Sequence, residues 1–195
     1  MDLVDRIETT RFLGNEFLLW LWFAGDVTGG QHAVGDRGMV EVSLESQLKL
    51  TDPLSARESI SMRGDDPFGS AEADQALKSG KLPAKVLLRL KQGETEWLAT
   101  LTGPSLALSG IKLPALLNEA ADDPLFERMR LLEQLDELIH ELYRQFLTVR
   151  LSSSWAAELL PALRQWVAGK VTLDHAGWMR IHQGAKSPRK RAARR

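Results

Sequence analysis

Residues 11–26 read RFLGNEFLLWLWFAGD, and from Phe17 to Phe23 this stretch holds seven consecutive large apolar side chains, Trp20 and Trp22 among them. A helix that crosses a bilayer needs about 20 apolar residues, so the run is too short to span one. Gly14 and Asn15 can start a helix, Glu16 suits its first turn and Gly25 suits a left-handed stop, which predicts a helix over roughly 14–24. Being apolar on every side, such a helix must be covered on most faces, as a core element or an interface. A buried strand is the other reading of so short a run. For Trp20 and Trp22, core packing with the indole N–H satisfied by a backbone carbonyl outweighs stacking on a base or sugar.

Outward from this stretch, the chain passes through a glycine-rich turn, GDVTGGQHAVGDRG, into MVEVSLESQLKL, where Met39 or Val40, then Val42, Leu44 and Leu48 alternate with polar residues as in a strand. ESISMRG reads as another strand. The following DDPFGSAEADQALKSGKLP reads as a turn and a short crossover helix, capped by Ser70, carrying Glu72 and Asp74 in its first turn and stopping at Gly80. AKVLLRLKQGETEWLATLTG is a hairpin: Val86, Leu88 and Leu90 share one side, QGE turns, and Trp97, Ala99 and Leu101 share a side on the return. PSLALSGIKLP adds a short extended segment. The expectation is four or five mostly antiparallel strands in a mixed sheet with an inserted helix.

From Pro124 to Arg150 the period changes. Leu125, Leu132, Ile139 and Phe146 form one row, and Leu135, Leu142 and Val149 the row beside it, widened by Leu131 and Leu138 and interrupted by Arg128. That is a helix about 40 Å long at about 1.5 Å per residue, with a stripe broad enough to lie on a sheet and touch a second helix. SSSWAAELLPALRQWVAGK predicts another helix with a serine N-cap and a stop at Gly169, kinked or divided by Pro161. VTLDHAGWMRIHQG reads as a last short strand or turn.

The 195 residues carry a formal net charge of −1, but the final ten, KSPRKRAARR, hold six cations (Lys186, Arg189, Lys190, Arg191, Arg194 and Arg195) and no acid. The remainder has 19 basic against 26 acidic residues and a charge of −7. An acidic body with a basic tail is a sign of anionic partners. Six positive charges in a flexible tail can displace counterions from a phosphate backbone, giving salt-sensitive, sequence-independent affinity. An inert tail is the competing reading, and an acidic protein surface or anionic membrane a further one. The absence of cysteine excludes disulfides, thiolate zinc sites and cysteine nucleophiles, and suits a reducing cytoplasm. The acidic start MDLVDRIETT does not read as an export signal.

No motif carries a catalytic pattern. Glu137 and His140 have the Glu-x-x-His spacing of half a carboxylate-bridged di-iron site, but the second half and the two further inward glutamates are missing, so a solvated or hydrogen-bonded His140 is expected. His175 and His182 flank Trp178 without fixing a coordination geometry. The loop around His32 lacks both glycine-rich phosphate-binding patterns and reads as a plain hairpin or loop. No serine lies in Gly-x-Ser-x-Gly. Asp65 with Asp66, and Asp122 with Asp123, sit beside prolines where turn chemistry explains them.

Taken in order, FLGNEFLLWLWF, SGKLP before a strand, TEWLATLTGPSLALSGIKLP, LLEQLDELIHELYRQFLTVRLSSSW and RQWVAGK form a succession that resembles the C-terminal segment of long RdgC-like proteins, the recombination-associated bacterial family. The resemblance covers Arg11 to about Lys170. It implies a cytoplasmic, nucleoid-associated role without enzyme activity, because the family binds DNA with little sequence preference and modulates recombinase action as a ring-shaped dimer. The ring-forming portion is not evident in this chain, so none of its functional residues maps onto a position here.

These readings predict an α+β fold: a mainly antiparallel sheet packed by a buried N-terminal helix, a long helix (about 124–150) crossing the sheet, and a second C-terminal helix. One domain is expected over residues 1–184, followed by a disordered basic tail, 185–195. The expected role is a noncatalytic RdgC-like accessory protein in DNA transactions, without metal or cofactor, not bound to membrane, contacting DNA weakly through Lys186, Arg189, Lys190, Arg191, Arg194 and Arg195. A separate DNA-binding protein or a second copy of the chain are the other expected partners. The alternative is an oligomeric interaction module with no nucleic-acid role.

Overall fold

The computed structural model describes residues 3–53, 58–115, 124–170 and 172–185, the side chains of residues 3–12, 36, 184 and 185 excepted. It is an α+β fold in which the N-terminal helix α1 (Leu3–Thr28) packs against a six-stranded sheet. The strands are β1 (Gln31–Ala33), β2 (Met39–Thr51), β3 (Ser59–Arg63), β4 (Leu82–Gln92), β5 (Thr95–Thr102) and β6 (Ala107–Lys112). Their order is β1-β2-β4-β5-β6, with β3 sharing the β1 edge of β2, and every pairing is antiparallel. The expected mixed sheet is therefore corrected. β3 and β4 run in the same direction, but β2 lies between them, and helix α2 (Ala71–Lys78) makes the crossover.

Helix α1 is longer than its apolar run predicts, and the reason lies in its glycines. Gly14 does not start it. A Cβ there would stand 1.8 Å from the Gly103 carbonyl oxygen, so the absence of a side chain lets α1 cross the 3-10 turn Gly103–Ser105 backbone to backbone. Gly25 does not stop it either. The helix ends at Thr28, whose hydroxyl donates to the Ala24 carbonyl at 2.8 Å, and the chain reverses through Gly29 and Gly30 at φ 65° and 75°. A Cβ on Gly30 would lie 2.2 Å from the Val42 carbonyl oxygen, an approach to β2 that only glycine permits.

The polar alternation of the strands resolves into two faces. Val40, Val42, Leu48 and Leu50 of β2, Val86, Leu88 and Leu90 of β4, and Trp97, Ala99 and Leu101 of β5 are all buried, on the side that α1 covers. Burying each large one contributes about 1.5–3 kcal/mol. Helix α3 (Pro124–Arg150) has the predicted bounds and lies alongside α1, with Phe146 5.7 Å from Phe17 and 6.0 Å from Trp20 between ring centroids. It touches the sheet where the Trp97 indole N–H donates to the Leu131 carbonyl at 3.1 Å. At its other end Arg150 pairs with Glu16 at 2.7 Å and lies 4.9 Å over the Trp155 ring, clamping α3 to α1.

Beyond α3 the chain makes a π-helical turn over Trp155–Leu159 and then α4 (Leu160–Val167). Pro161 sits in the first turn of α4, where its missing N–H is harmless, and the wide turn before it absorbs the break. The Ser154 side chain makes no capping bond, contrary to the expected serine N-cap. Gly80 and Gly169 end α2 and α4 as predicted, each donating back into the last turn while the following lysine donates one residue deeper. The last segment is helical, not a strand or turn: α5 (His175–Ala185) starts where the Asp174 carboxylate accepts from the Gly177 N–H at 2.8 Å. No helix among the described residues is long and apolar enough to cross a membrane.

Candidate functional site

The six predicted DNA-contacting residues, Lys186, Arg189, Lys190, Arg191, Arg194 and Arg195, lie outside the described residues. What is described is the helix that leads to them. α5 buries Trp178 and Ile181 against the core, and Trp178 stacks on Trp20 at 5.4 Å and on His182 at 4.2 Å. The His182 Nδ1 lies 2.8 Å from the Trp178 carbonyl, so that nitrogen carries the proton in the bond. α5 reaches Ala185, one residue past the expected domain boundary.

Under α5 sits His32. It belongs to β1, in a hairpin as expected, but its ring points inward and is only 4% exposed, 5.2 Å from Trp20. Burial, and then the neighbouring His182, push its pKa down to about 4, because a charged imidazolium loses its hydration here. His32 Nε2 and Trp20 Nε1 have no hydrogen-bond partner among the described residues. The carbonyl expected to satisfy the Trp20 indole is therefore not there; Trp97 has such a partner instead. A cavity of about 70 Å³ opens beside His32, lined also by Gln31, Gln145, Met179 and His182. Its wall is mainly apolar, with imidazole and amide groups that can hydrogen-bond a small molecule such as water. Among the described residues no carboxylate lines this cavity to orient an imidazole as a general base, and no group of three metal-ligating side chains converges.

Glu137 and His140 face outward on α3. Glu137 pairs with Arg37, and His140 Nδ1 lies 2.8 Å from the Asp136 carbonyl, the hydrogen-bonded reading predicted for it. Asp66 accepts from the Gly69 N–H at 2.9 Å, the turn role expected of it, while Asp122 and Asp123 lie outside the described residues. His175 is exposed.

The uncovered face of the sheet carries a set of cations that the sequence pattern shows only as alternating polar residues. Lys49 and Lys85 are directly opposed across β2 and β4, and the row Ser43–Arg89–Leu98–Lys112 runs across four strands. Arg89 is held by Glu45 at 3.0 Å and Glu96 at 3.6 Å. Lys49, Lys85, Lys91 and Lys112 make no ion pair among the described residues. Like charges facing each other across a ladder repel, so the Lys49–Lys85 pair costs stability unless an anion lies over it.

No family model matches the chain, and no curated protein and no solved structure shows a significant similarity to it.

Proposed function

We propose that this protein is a noncatalytic, RdgC-like accessory component of DNA transactions in the bacterial cytoplasm, holding nucleic acid weakly and without sequence preference through its cationic end. The observation that carries this reading is the separation of charge: six cations in the last ten residues of a chain whose remainder has a charge of −7. The opposed Lys49 and Lys85 support it, as a second cationic patch available to a phosphate backbone. The acidic remainder repels DNA elsewhere and favours a separate basic DNA-binding protein as the second partner.

Salt-titrated binding to duplex and single-stranded DNA tests this, comparing the full chain with one ending at Gly184. The logarithmic salt slope grows by about 0.7–0.9 for every phosphate that a cation neutralises, so the shortened chain should bind more weakly and with a flatter slope. Equal, negligible binding by both chains overturns the proposal.

The second reading is an oligomeric interaction module, and one feature favours it. Leu125, Met129 and Leu132 continue the stripe that Leu135, Ile139 and Phe146 bury, yet they are 62%, 46% and 40% exposed. A dimer by solution mass that disappears in Met129→Glu/Leu132→Glu, with DNA binding unchanged, would establish it in place of the first.

A further inference from the structure

Residues two apart on a helix face opposite ways, so Trp20 and Trp22 project from α1 into two parts of the aromatic core, which Phe23 joins through Trp166 and Trp178. The Trp22 cluster lies away from His32. Its ring meets Phe68 at 4.9 Å and 86°, and Trp166 at 5.4 Å and 84°. Beside these three rings is a notch of about 170 Å³, bordered by Leu77 and by two carboxylates, Asp26 and Asp74. Asp26 accepts from the Trp166 indole N–H at 2.7 Å, which fixes the ring at the end of α4 against α1. Neither Asp26 nor Asp74 has a cationic partner among the described residues.

We propose that the notch formed by Trp22, Phe68 and Trp166 with Asp26 and Asp74 binds a quaternary ammonium group. Aromatic faces carry negative potential that attracts cations, and recognition of methylated ammonium by several rings set in different planes is the strongest use of that attraction. The two carboxylates add charge of the same sign. Calcium or magnesium does not suit the place, because it demands six or more oxygen ligands and only two carboxylates, beside three aromatic rings, border the notch. A methylated ammonium has little hydration to lose and an apolar surface to bury, matching both halves of the wall. A neutral apolar group of the same shape would use the rings but leave the carboxylates without a counter-charge.

The test compares two isosteres on the full chain at constant ionic strength: choline chloride, and 3,3-dimethyl-1-butanol, in which carbon replaces the charged nitrogen. Tryptophan fluorescence and the indole N–H resonance of Trp166 report occupancy. Choline should bind saturably in the millimolar range, with the neutral isostere about tenfold weaker. Asp74→Asn, a change at an exposed position, should weaken choline binding several-fold at unchanged thermal midpoint, and Asp26→Asn should do so while also loosening Trp166. N-acetyl-trimethyllysine amide, run in parallel, tells a protein side chain from a free small cation as the natural source; tighter binding of either supports the site. Equal binding of choline and its neutral isostere, or no saturable change below about 0.1 M choline, overturns the proposal, as does choline binding that is indifferent to both aspartate substitutions.

Discussion

The two faces of one sheet have opposite chemistry although the same strands build both. On the covered face, Leu88, Leu90, Trp97 and Leu101 are at most 1% exposed beneath α1 and its neighbours. On the other, Lys49 opposes Lys85, while Arg89 is held between two glutamates. The covered face is specified by shape, since close-packed side chains leave no slack for a change in volume. At the Lys49–Lys85 pair the other face has no ion pair among the described residues, and two like charges opposed across the ladder repel. Stability and binding are thus divided between faces.

That division can be broken from the inside first. Trp97→Ala removes a fully buried ring and the indole bond to the Leu131 carbonyl that ties α3 to the sheet, and should lower unfolding free energy by about 3–5 kcal/mol in a denaturant titration. Gly14→Ala should cost about 3 kcal/mol, because its methyl cannot coexist with the Gly103 carbonyl and α1 must shift; loss of Trp20 near-ultraviolet dichroism ahead of global unfolding would register it.

A comparable effect follows from pH. Folded His32 titrates at about 4 against an ordinary 6.5, so the unfolded chain takes up the proton first as pH falls. The stability held by neutral His32 is complete above pH 6.5 and is lost progressively down to about pH 4, a total of about 3 kcal/mol. Thermal midpoints from pH 7.5 to 4 should fall accordingly, and His32→Leu should flatten the slope. On the uncovered face the effect reverses in sign and is smallest. Lys49→Glu, which turns a repulsive cross-strand pair into an attractive one, should stabilise by about 0.5 kcal/mol while weakening any nucleic-acid binding. A loss of stability there would show that this face is packed after all.

Much of the covered face was legible because a strand that is half buried advertises itself by period two. The β4–β5 hairpin and α3 follow from that periodicity and its helical counterpart. What escaped reading depends on partners distant in sequence. Gly14 resembles a helix start until Gly103 is placed against it. β1 is three residues long and exists only because β2 pairs with it, so GDVTGGQHAVGDRG showed only its glycines. α5 could have been found from Asp174 and the spacing of Trp178 and Ile181, a cap followed by a one-sided apolar pair. His32 meeting His182, and Lys49 meeting Lys85, required the register and the docking of α5, which no local pattern encodes.

The bare crossing of α1 over the Gly103 turn has one more consequence. With no side chain between the two backbones, the helix cannot slide or roll there without collision, so this crossing, with the Arg150–Glu16 clamp, sets the depth of both Trp20 and Trp22. A change that widened the hollow around one indole by moving the rod would narrow or tilt the other, and the chambers on its two flanks are mechanically tied.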